Sequence, residues 1–128
     1  MLLAIISGII LYMAIGMLYY SPLLFGEIWV RLLKIDQPEH PRYGLLTFVT
    51  IMTVLLTYFL LHLTNASTLI DGLIVGLGLG VVVSLAYAKD FIFGLGIHTE
   101  NAFKVYLIGV GYHLFSLPVI GLVMMFFI

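Results

Sequence analysis

Four long apolar stretches dominate the chain, and its polar residues are concentrated in the segments between them. Read with a window of roughly 19 residues, these stretches cover residues 2–20, 43–63, 69–88 and 105–128. Each is long enough to cross a bilayer as one helix. The first has no basic segment or small-residue cleavage site, so we expect a retained span and not a signal peptide. The pattern predicts an all-α integral membrane four-helix bundle, forming a single domain over residues 1–128.

A shorter amphipathic segment lies between the first and second spans. It follows Pro22, which interrupts a helix because it lacks an amide hydrogen. Residues 23–35 would place Arg31 and Lys34 on one helical face and apolar side chains on the other. Trp29 is the residue type expected at headgroup depth. We therefore predict an interfacial helix anchored by these three side chains, in a structural role that we favour over lipid signalling.

Composition and charge agree with a membrane protein and predict its orientation. Apolar residues make up 63% of the 128 positions and charged residues only 9%, against about a quarter charged in soluble domains. All the basic residues lie in segments 21–42 and 89–104, and Lys and Arg are retained on the cytoplasmic side during insertion. Both segments are therefore predicted to be cytoplasmic, with both termini outside the cell's inner (cytoplasmic) membrane. The basic residues are Arg31, Lys34, Arg42, Lys89 and Lys104.

The same composition excludes several classes of function. A net charge of −1 predicts no nucleic-acid partner. Without cysteine the chain has no disulfide, thiolate metal site or redox couple. Because no pair of histidines has ligand spacing either, we predict neither a metal site nor another cofactor.

Small residues form one face of the third span. They recur at every fourth position, so a neighbouring backbone could approach this face closely. The neighbour is either another helix of the same chain or a second copy of the protein, and the pattern does not distinguish the two. A second small face on the first span includes Gly8 and Gly16. The predicted packing face of the third span comprises Gly72, Gly76, Gly80 and Ser84.

Two sets of polar side chains within the spans have alternative interpretations. Thr50 and Thr53 belong to a hydroxyl stripe on the second span, which either lines a polar path or packs between helices. We favour packing, because a threonine hydroxyl commonly bonds to a carbonyl of its own helix. Asp71 follows Thr68 by three residues, the spacing of a capping box. Capping is favoured over ion or proton handling at Asp71.

His113 is the best candidate for a functional side chain. It lies nine residues beyond Lys104, about 13 Å along a helix and well inside the apolar slab. An imidazole at this depth needs a partner, and we expect Ser116 or a threonine of the second span to supply it. A neutral histidine that only joins two helices is an equally weighted alternative. The candidate ligand or proton site comprises His113, Tyr112, Ser116, Tyr12, Thr50 and Thr53.

Three short motifs add a resemblance to a known family. They are Tyr-Ser-Pro-Leu-Leu-Phe-Gly at residues 20–26 followed by Trp29, Asp-Gly-Leu-Ile-Val-Gly at residues 71–76, and Gly-Tyr-His-Leu at residues 111–114. In this order, over nearly the whole chain, they resemble the bacterial and archaeal membrane family catalogued as domain of unknown function 1761. Gly109 stands where that family usually has Asn. The resemblance implies a small four-helix membrane protein, without an activity, substrate or catalytic residues.

Two functional hypotheses follow. In the first, a homo-oligomeric bundle binds or translocates a small solute or proton through an interior around His113. In the second, the protein is a non-catalytic accessory subunit of a larger membrane complex, as its small-residue faces and short loops would allow. An enzyme ranks third, because no nucleophile with a base, paired carboxylates or metal cluster is visible. The expected partners are the lipid bilayer and either further copies of the chain or other membrane subunits.

Overall fold

Helices make up almost all of the part of the chain that the structure describes. The computed structural model describes residues 1–33, 42–92 and 102–128, except the side chains of residues 91 and 92. It contains α1 (Leu2–Tyr19), α2 (Gly26–Leu32), α3 (Tyr43–Leu63), α4 (Leu69–Ile92) and α5 (Ala102–Met125). All except α2 are long and apolar enough to cross a membrane, and the described residues form no strand. The predicted all-α fold with four candidate spans is confirmed.

The ends of the last two spans differ from those expected. Helix α4 extends to Ile92 instead of residue 88, and α5 occupies Ala102–Met125 instead of residues 105–128. Hydropathy marks only the part of a helix that lies in hydrocarbon, because helical hydrogen bonding continues into polar sequence. The helices therefore project beyond the apolar segments at this end of the bundle.

Helix α5 lies at the centre of the bundle. Half of its apolar window is buried, against 17–22% in the other three long helices. Its most extensive contact is with α4, followed by α1, while α3 packs mainly on α1. The outer faces of α3 and α4 expose large apolar side chains such as Phe59 and Val82. So large an apolar surface requires hydrocarbon around it, since soluble monomers expose only small apolar patches.

Local hydrogen bonds fix the turn between α3 and α4. Asn65 adopts a left-handed φ of 53°, which asparagine tolerates better than most residues, and the Ala66 amide donates to the Leu61 carbonyl at 2.9 Å. At the start of α4, the Thr68 amide donates to the Asp71 carboxylate at 2.8 Å. The Asp71 amide donates in turn to Thr68 Oγ1 at 3.2 Å. The predicted capping box is confirmed, and it accounts for this carboxylate at a helix start.

A tight corner joins α1 to α2. The Phe25 amide donates to the Tyr19 carbonyl at 3.0 Å, and a Cβ on buried Gly26 would collide with the backbone of the preceding turn. The helix expected over residues 23–35 therefore begins later than expected, because its first residues form this corner. It ends at Leu32, and Lys34 lies outside the described residues.

The other two expected interface anchors lie in different surroundings. Arg31 is exposed. Trp29 is half-buried, with its ring 5.3 Å from that of Tyr20, and a Cβ added to Gly109 of α5, the helix that α2 packs against, would lie 3.9 Å from it. Trp29 therefore joins α2 to α5.

Helices α4 and α5 meet along the small-residue face of α4. A Cβ added to Gly72 would lie 2.5 Å from the Gly121 carbonyl oxygen, and one added to Gly76 would collide with the Leu117 carbonyl. At Gly80 the nearest atom of α5 would be at 3.1 Å. The helix that packs against these glycines is therefore α5 of the same chain, which is the first of the two alternatives that the sequence left open.

The small residues of α1 are also covered within the chain. A Cβ added to Gly8 would lie 2.8 Å from Val54 and 3.1 Å from the sulfur of Met124, and one added to Gly16 would lie 3.1 Å from the Tyr112 hydroxyl. Gly8 therefore admits aliphatic side chains from α3 and α5, whereas Gly16 admits a tyrosine ring.

Candidate functional site

Two tyrosines and His113 form a polar layer halfway along α1 and α5. Tyr12 Oη lies 3.1 Å from His113 Nδ1, and the Tyr112 hydroxyl donates to the Tyr12 carbonyl at 2.9 Å. The Tyr12 and Tyr112 rings are in contact, with centroids 5.3 Å apart. The partner of the imidazole is thus Tyr12. The expectation of Ser116 or a threonine was wrong, because α1, and not α3, faces this side of α5.

The remaining sequence candidates lie elsewhere. Ser116 is fully buried, and its Oγ has no hydrogen-bond partner among the described residues. Thr53 donates its hydroxyl to the Val49 carbonyl of its own helix at 2.9 Å, and Thr50 is buried between helices. The Thr53 hydroxyl thus bonds within its own helix and Thr50 is buried, which is the arrangement that packing between helices would produce.

A second group of aromatic side chains joins α1, α2 and α5 at the end of the bundle near α2. The Tyr19 hydroxyl donates to the Ile108 carbonyl at 2.6 Å, and a Cβ on Gly111 would lie only 2.7 Å from that hydroxyl oxygen. The Tyr20 ring contacts both Trp29 and Tyr112, at centroid distances of 5.3 and 5.7 Å. Glycine at position 111 is thus required for the tyrosine to reach the α5 backbone.

Tyr20 and Trp29 of this group border a cavity of about 230 Å³ between the end of α1 and helices α2, α4 and α5. We call it the aromatic cavity. Of the eight described residues that line it, five carry a ring and none is Asp, Glu, Lys or Arg. The lining residues are Tyr20, Trp29, Tyr87, Val105, Tyr106, Gly109, Val110 and His113.

His113 connects the polar layer to the aromatic cavity. Its ring stacks on Tyr87 of α4 at a centroid distance of 5.8 Å, and Tyr12 occupies Nδ1. Among the described residues, Nε2 has no hydrogen-bond partner. A neutral imidazole can therefore offer this nitrogen to a ligand as a donor or as an acceptor, according to its tautomer.

Of the six sequence-predicted site residues, only His113 lines the cavity. The lining residues of α5 recur at positions 105, 106, 109, 110 and 113, a single helical face that a search outward from His113 could have found. Tyr20 and Tyr87 carry no such signal, because they reach the cavity from other helices. Trp29 was singled out from the sequence, but as a membrane anchor.

The described lining residues offer a ligand both contact surface and polar groups. They carry ring faces, aliphatic surface, tyrosine hydroxyls, the indole N–H of Trp29 and one imidazole nitrogen, and among them no nucleophile is paired to a base. Within residues 1–33, 42–92 and 102–128, no group of three His, Asp or Glu side chains could hold a metal ion. His62 packs edge-on against Tyr58 at 4.5 Å, while His40 and His98 lie outside the described residues.

The fold therefore defines a small multi-pass membrane protein with an aromatic cavity among its helices. The sequence profile of a family of proteins of unknown function, DUF1761, matches residues 3–125, and the chain belongs to this family. The resemblance carried by the three sequence motifs is thereby confirmed. No curated protein matches the chain, and no solved structure matches it.

Proposed function

We propose that this protein is a membrane-embedded binding protein for a small solute, which occupies the aromatic cavity and contacts His113. The observation that carries the proposal is the position of the imidazole at a cavity of about 230 Å³, with Nδ1 bonded to Tyr12 and Nε2 without a partner among the described residues. Sites for drug-sized ligands have volumes of roughly 300–1,000 Å³. The smaller volume here favours a ligand of only a few non-hydrogen atoms.

The packing beyond the polar layer favours binding over passage through a single chain. There the interior is mainly aliphatic, with the buried hydroxyls of Thr57, which donates to the Thr53 carbonyl, and Ser116 as its polar groups among the described residues. A polar solute or proton would meet few hydrogen-bond partners on the way across. Translocation would require an assembly in which several copies line a path, because four helices leave little room for a pore within one chain. This part of the interior, the aliphatic half, comprises Ala4, Val54, Leu61, Ile120 and Met124.

The side from which the solute enters follows from the charge distribution. The cavity lies at the end of the bundle where α4 ends and α5 begins, close in sequence to Lys89 and Lys104. Because basic residues are retained in the cytoplasm, this end would be cytoplasmic. The ligand would thus enter the cavity from the cytoplasmic side of the inner membrane.

The accessory-subunit hypothesis loses its main support. It rested on small-residue faces that a partner helix could cover, but Gly8, Gly72 and Gly76 are covered by helices of the same chain. The binding hypothesis depends on no additional partner.

Native mass spectrometry of protein extracted gently from its own membranes tests the proposal. We expect the wild-type protein to retain a small molecule that His113→Leu loses and that the matched variant His62→Leu keeps, because His62 lies away from the cavity. Gly109→Leu is a second blocking variant, since a Cβ there would approach only Trp29, at 3.9 Å, and a longer side chain would enter the cavity.

Absence of any bound small molecule from the wild-type protein would contradict the proposal. So would equal retention by His113→Leu and Gly109→Leu, provided that both variants melt like the wild type. Recovery of stoichiometric larger subunits instead would favour the accessory role.

A further inference from the structure

We propose, on the basis of the binding function above, that the ligand of the aromatic cavity is a small organic cation with a methylated ammonium group. Four tyrosine or tryptophan rings line the cavity beside the imidazole of His113, and they come from the end of α1 and from α2, α4 and α5. They therefore surround the space from several sides and do not form one stack. Aromatic faces carry partial negative charge, and rings grouped in this way are a known means of binding quaternary ammonium ions.

The described lining favours a quaternary ammonium over anions and over ammonium ions with free N–H groups. Among its described residues it contains no Lys or Arg to neutralise an anion, and ring faces repel negative charge. An ammonium with three N–H donors would find only neutral acceptors among the described lining residues, namely tyrosine hydroxyls and one imidazole nitrogen, and no carboxylate. A quaternary ammonium has no N–H group to satisfy, and its charge is spread over methyl groups that pack against rings.

The surrounding bilayer argues against a purely apolar ligand. Lipid chains are as apolar as leucine side chains, so an apolar molecule would gain little by leaving hydrocarbon for this cavity. A cation gains the attraction of the rings, which is strongest where water is excluded. A cationic ligand therefore gains more binding free energy in this cavity than an apolar ligand does.

The dimensions of the cavity agree with such a ligand. Water occupies about 30 Å³ per molecule in the liquid, so about 230 Å³ has room for roughly seven non-hydrogen atoms. Choline has this size and also carries a hydroxyl, which could bond to Nε2 of His113. It is therefore a suitable probe of the class.

Fluorescence of Trp29 provides a direct measurement, because it is the only tryptophan of the chain and lines the cavity. Full-length protein in phosphatidylglycerol nanodiscs would be titrated with choline and with 3,3-dimethylbutan-1-ol, its uncharged isostere. We expect a saturable change with choline and at least tenfold weaker binding of the alcohol. Tyr87→Leu should weaken choline binding about tenfold and Tyr87→Phe much less, because phenylalanine keeps the ring face.

Two glycine variants control for nonspecific effects. Gly109→Leu should abolish the response by filling the cavity, whereas Gly78→Leu should preserve it, because a Cβ at the exposed Gly78 has no neighbour within 4 Å. Equal binding of choline and the alcohol would overturn the cationic ligand while leaving a small-solute site intact. No saturable response to choline in a folded wild-type protein would also overturn it, and the retained molecule in mass spectrometry would then test the solute site separately.

The methylated ammonium could belong to a free solute or to a lipid headgroup. Nanodiscs that contain phosphatidylcholine distinguish these sources. If the headgroup is the ligand, they should show the fluorescence change without added choline and reduce the response to it. If a free solute is the ligand, the choline titration should be the same in both lipids.

Discussion

The two halves of this helix bundle are packed by different kinds of contact, although α1, α4 and α5 run through both. In the aliphatic half, glycines of α4 bring its backbone against that of α5, and side chains such as Ile120 and Met124 are fully buried. The opposite half, the aromatic half, contains the polar layer, Tyr19 and the aromatic cavity. Its helices are joined by tyrosine hydroxyls that donate to carbonyls of other helices, including Tyr106 to Ser84 at 2.9 Å and Tyr19 to Ile108.

The difference explains why the cavity lies where it does. Glycine has no side chain, so two helices can approach until their backbones are in contact and no space remains between them. Aromatic rings hold helices apart and are rigid, so several rings from different helices cannot fill every space. A closely packed region thus supports one end of the bundle, while the other end has room for a ligand.

The largest expected effect comes from adding one methyl group to the aliphatic half. In Gly76→Ala the new Cβ would meet backbone atoms, including Pro118 Cα at 2.7 Å, so α4 and α5 must separate. We expect a loss of about 3 kcal/mol in the free energy of unfolding, in the upper range for overpacking. Thermal unfolding in detergent or nanodiscs would measure it.

Two matched variants sharpen this result. Gly78→Ala adds the methyl group on the lipid side of α4, and Gly109→Ala adds it in the aromatic half, where the nearest atom is Trp29 at 3.9 Å. Both should melt within a few degrees of the wild type. If Gly76→Ala were as stable as these controls, the close approach of α4 and α5 would be wrong.

A smaller loss is expected from removing one hydroxyl of the polar layer. Tyr112→Phe deletes the hydrogen bond to the Tyr12 carbonyl and leaves the ring in place. Such bonds contribute about 1 kcal/mol in proteins and on average about 0.6 kcal/mol in membranes. Tyr58→Phe is the control, because the Tyr58 hydroxyl has no hydrogen bond among the described residues. Equal unfolding free energies for the two variants would contradict a structural role of the layer.

The smallest change in the free energy of unfolding is expected at Ser116, and it has the opposite sign. Its hydroxyl is buried without a partner among the described residues, so Ser116→Ala should leave stability unchanged or raise it by up to about 1 kcal/mol. Ser84→Ala provides the comparison, because Ser84 Oγ donates to the Gly80 carbonyl at 2.7 Å. A clear destabilisation by Ser116→Ala in thermal unfolding would show that this hydroxyl has a partner in the membrane.

Several features of the structure could be predicted because they depend on nearby residues. The capping box at Thr68 and Asp71 joins groups three residues apart, and the corner after α1 follows from Pro22 and the glycine at position 26. The amphipathic segment was recognised but begins later than predicted, because a periodic pattern does not reveal how many residues the preceding corner uses.

The candidate site was predicted less completely. His113 was identified by its depth, which follows from counting residues along a helix. Its partner Tyr12 is 101 residues away in the chain, and Tyr87 reaches it from a third helix. Depth gives the height of a side chain in the bundle, but not the rotation of its helix or the identity of the neighbouring helix.

Sequence alone thus determined the four apolar helices, their approximate limits and the faces that lack side-chain bulk, because hydropathy and capping are local properties of the chain. Tertiary structure decided that α5 covers the glycine face of α4, that Tyr12 meets His113, and that Tyr20, Trp29 and Tyr87 border one cavity. The physical reason is that these contacts depend on how whole helices pack together. A side chain can contact only those residues of a neighbouring helix that lie at the same level of the bundle and face it.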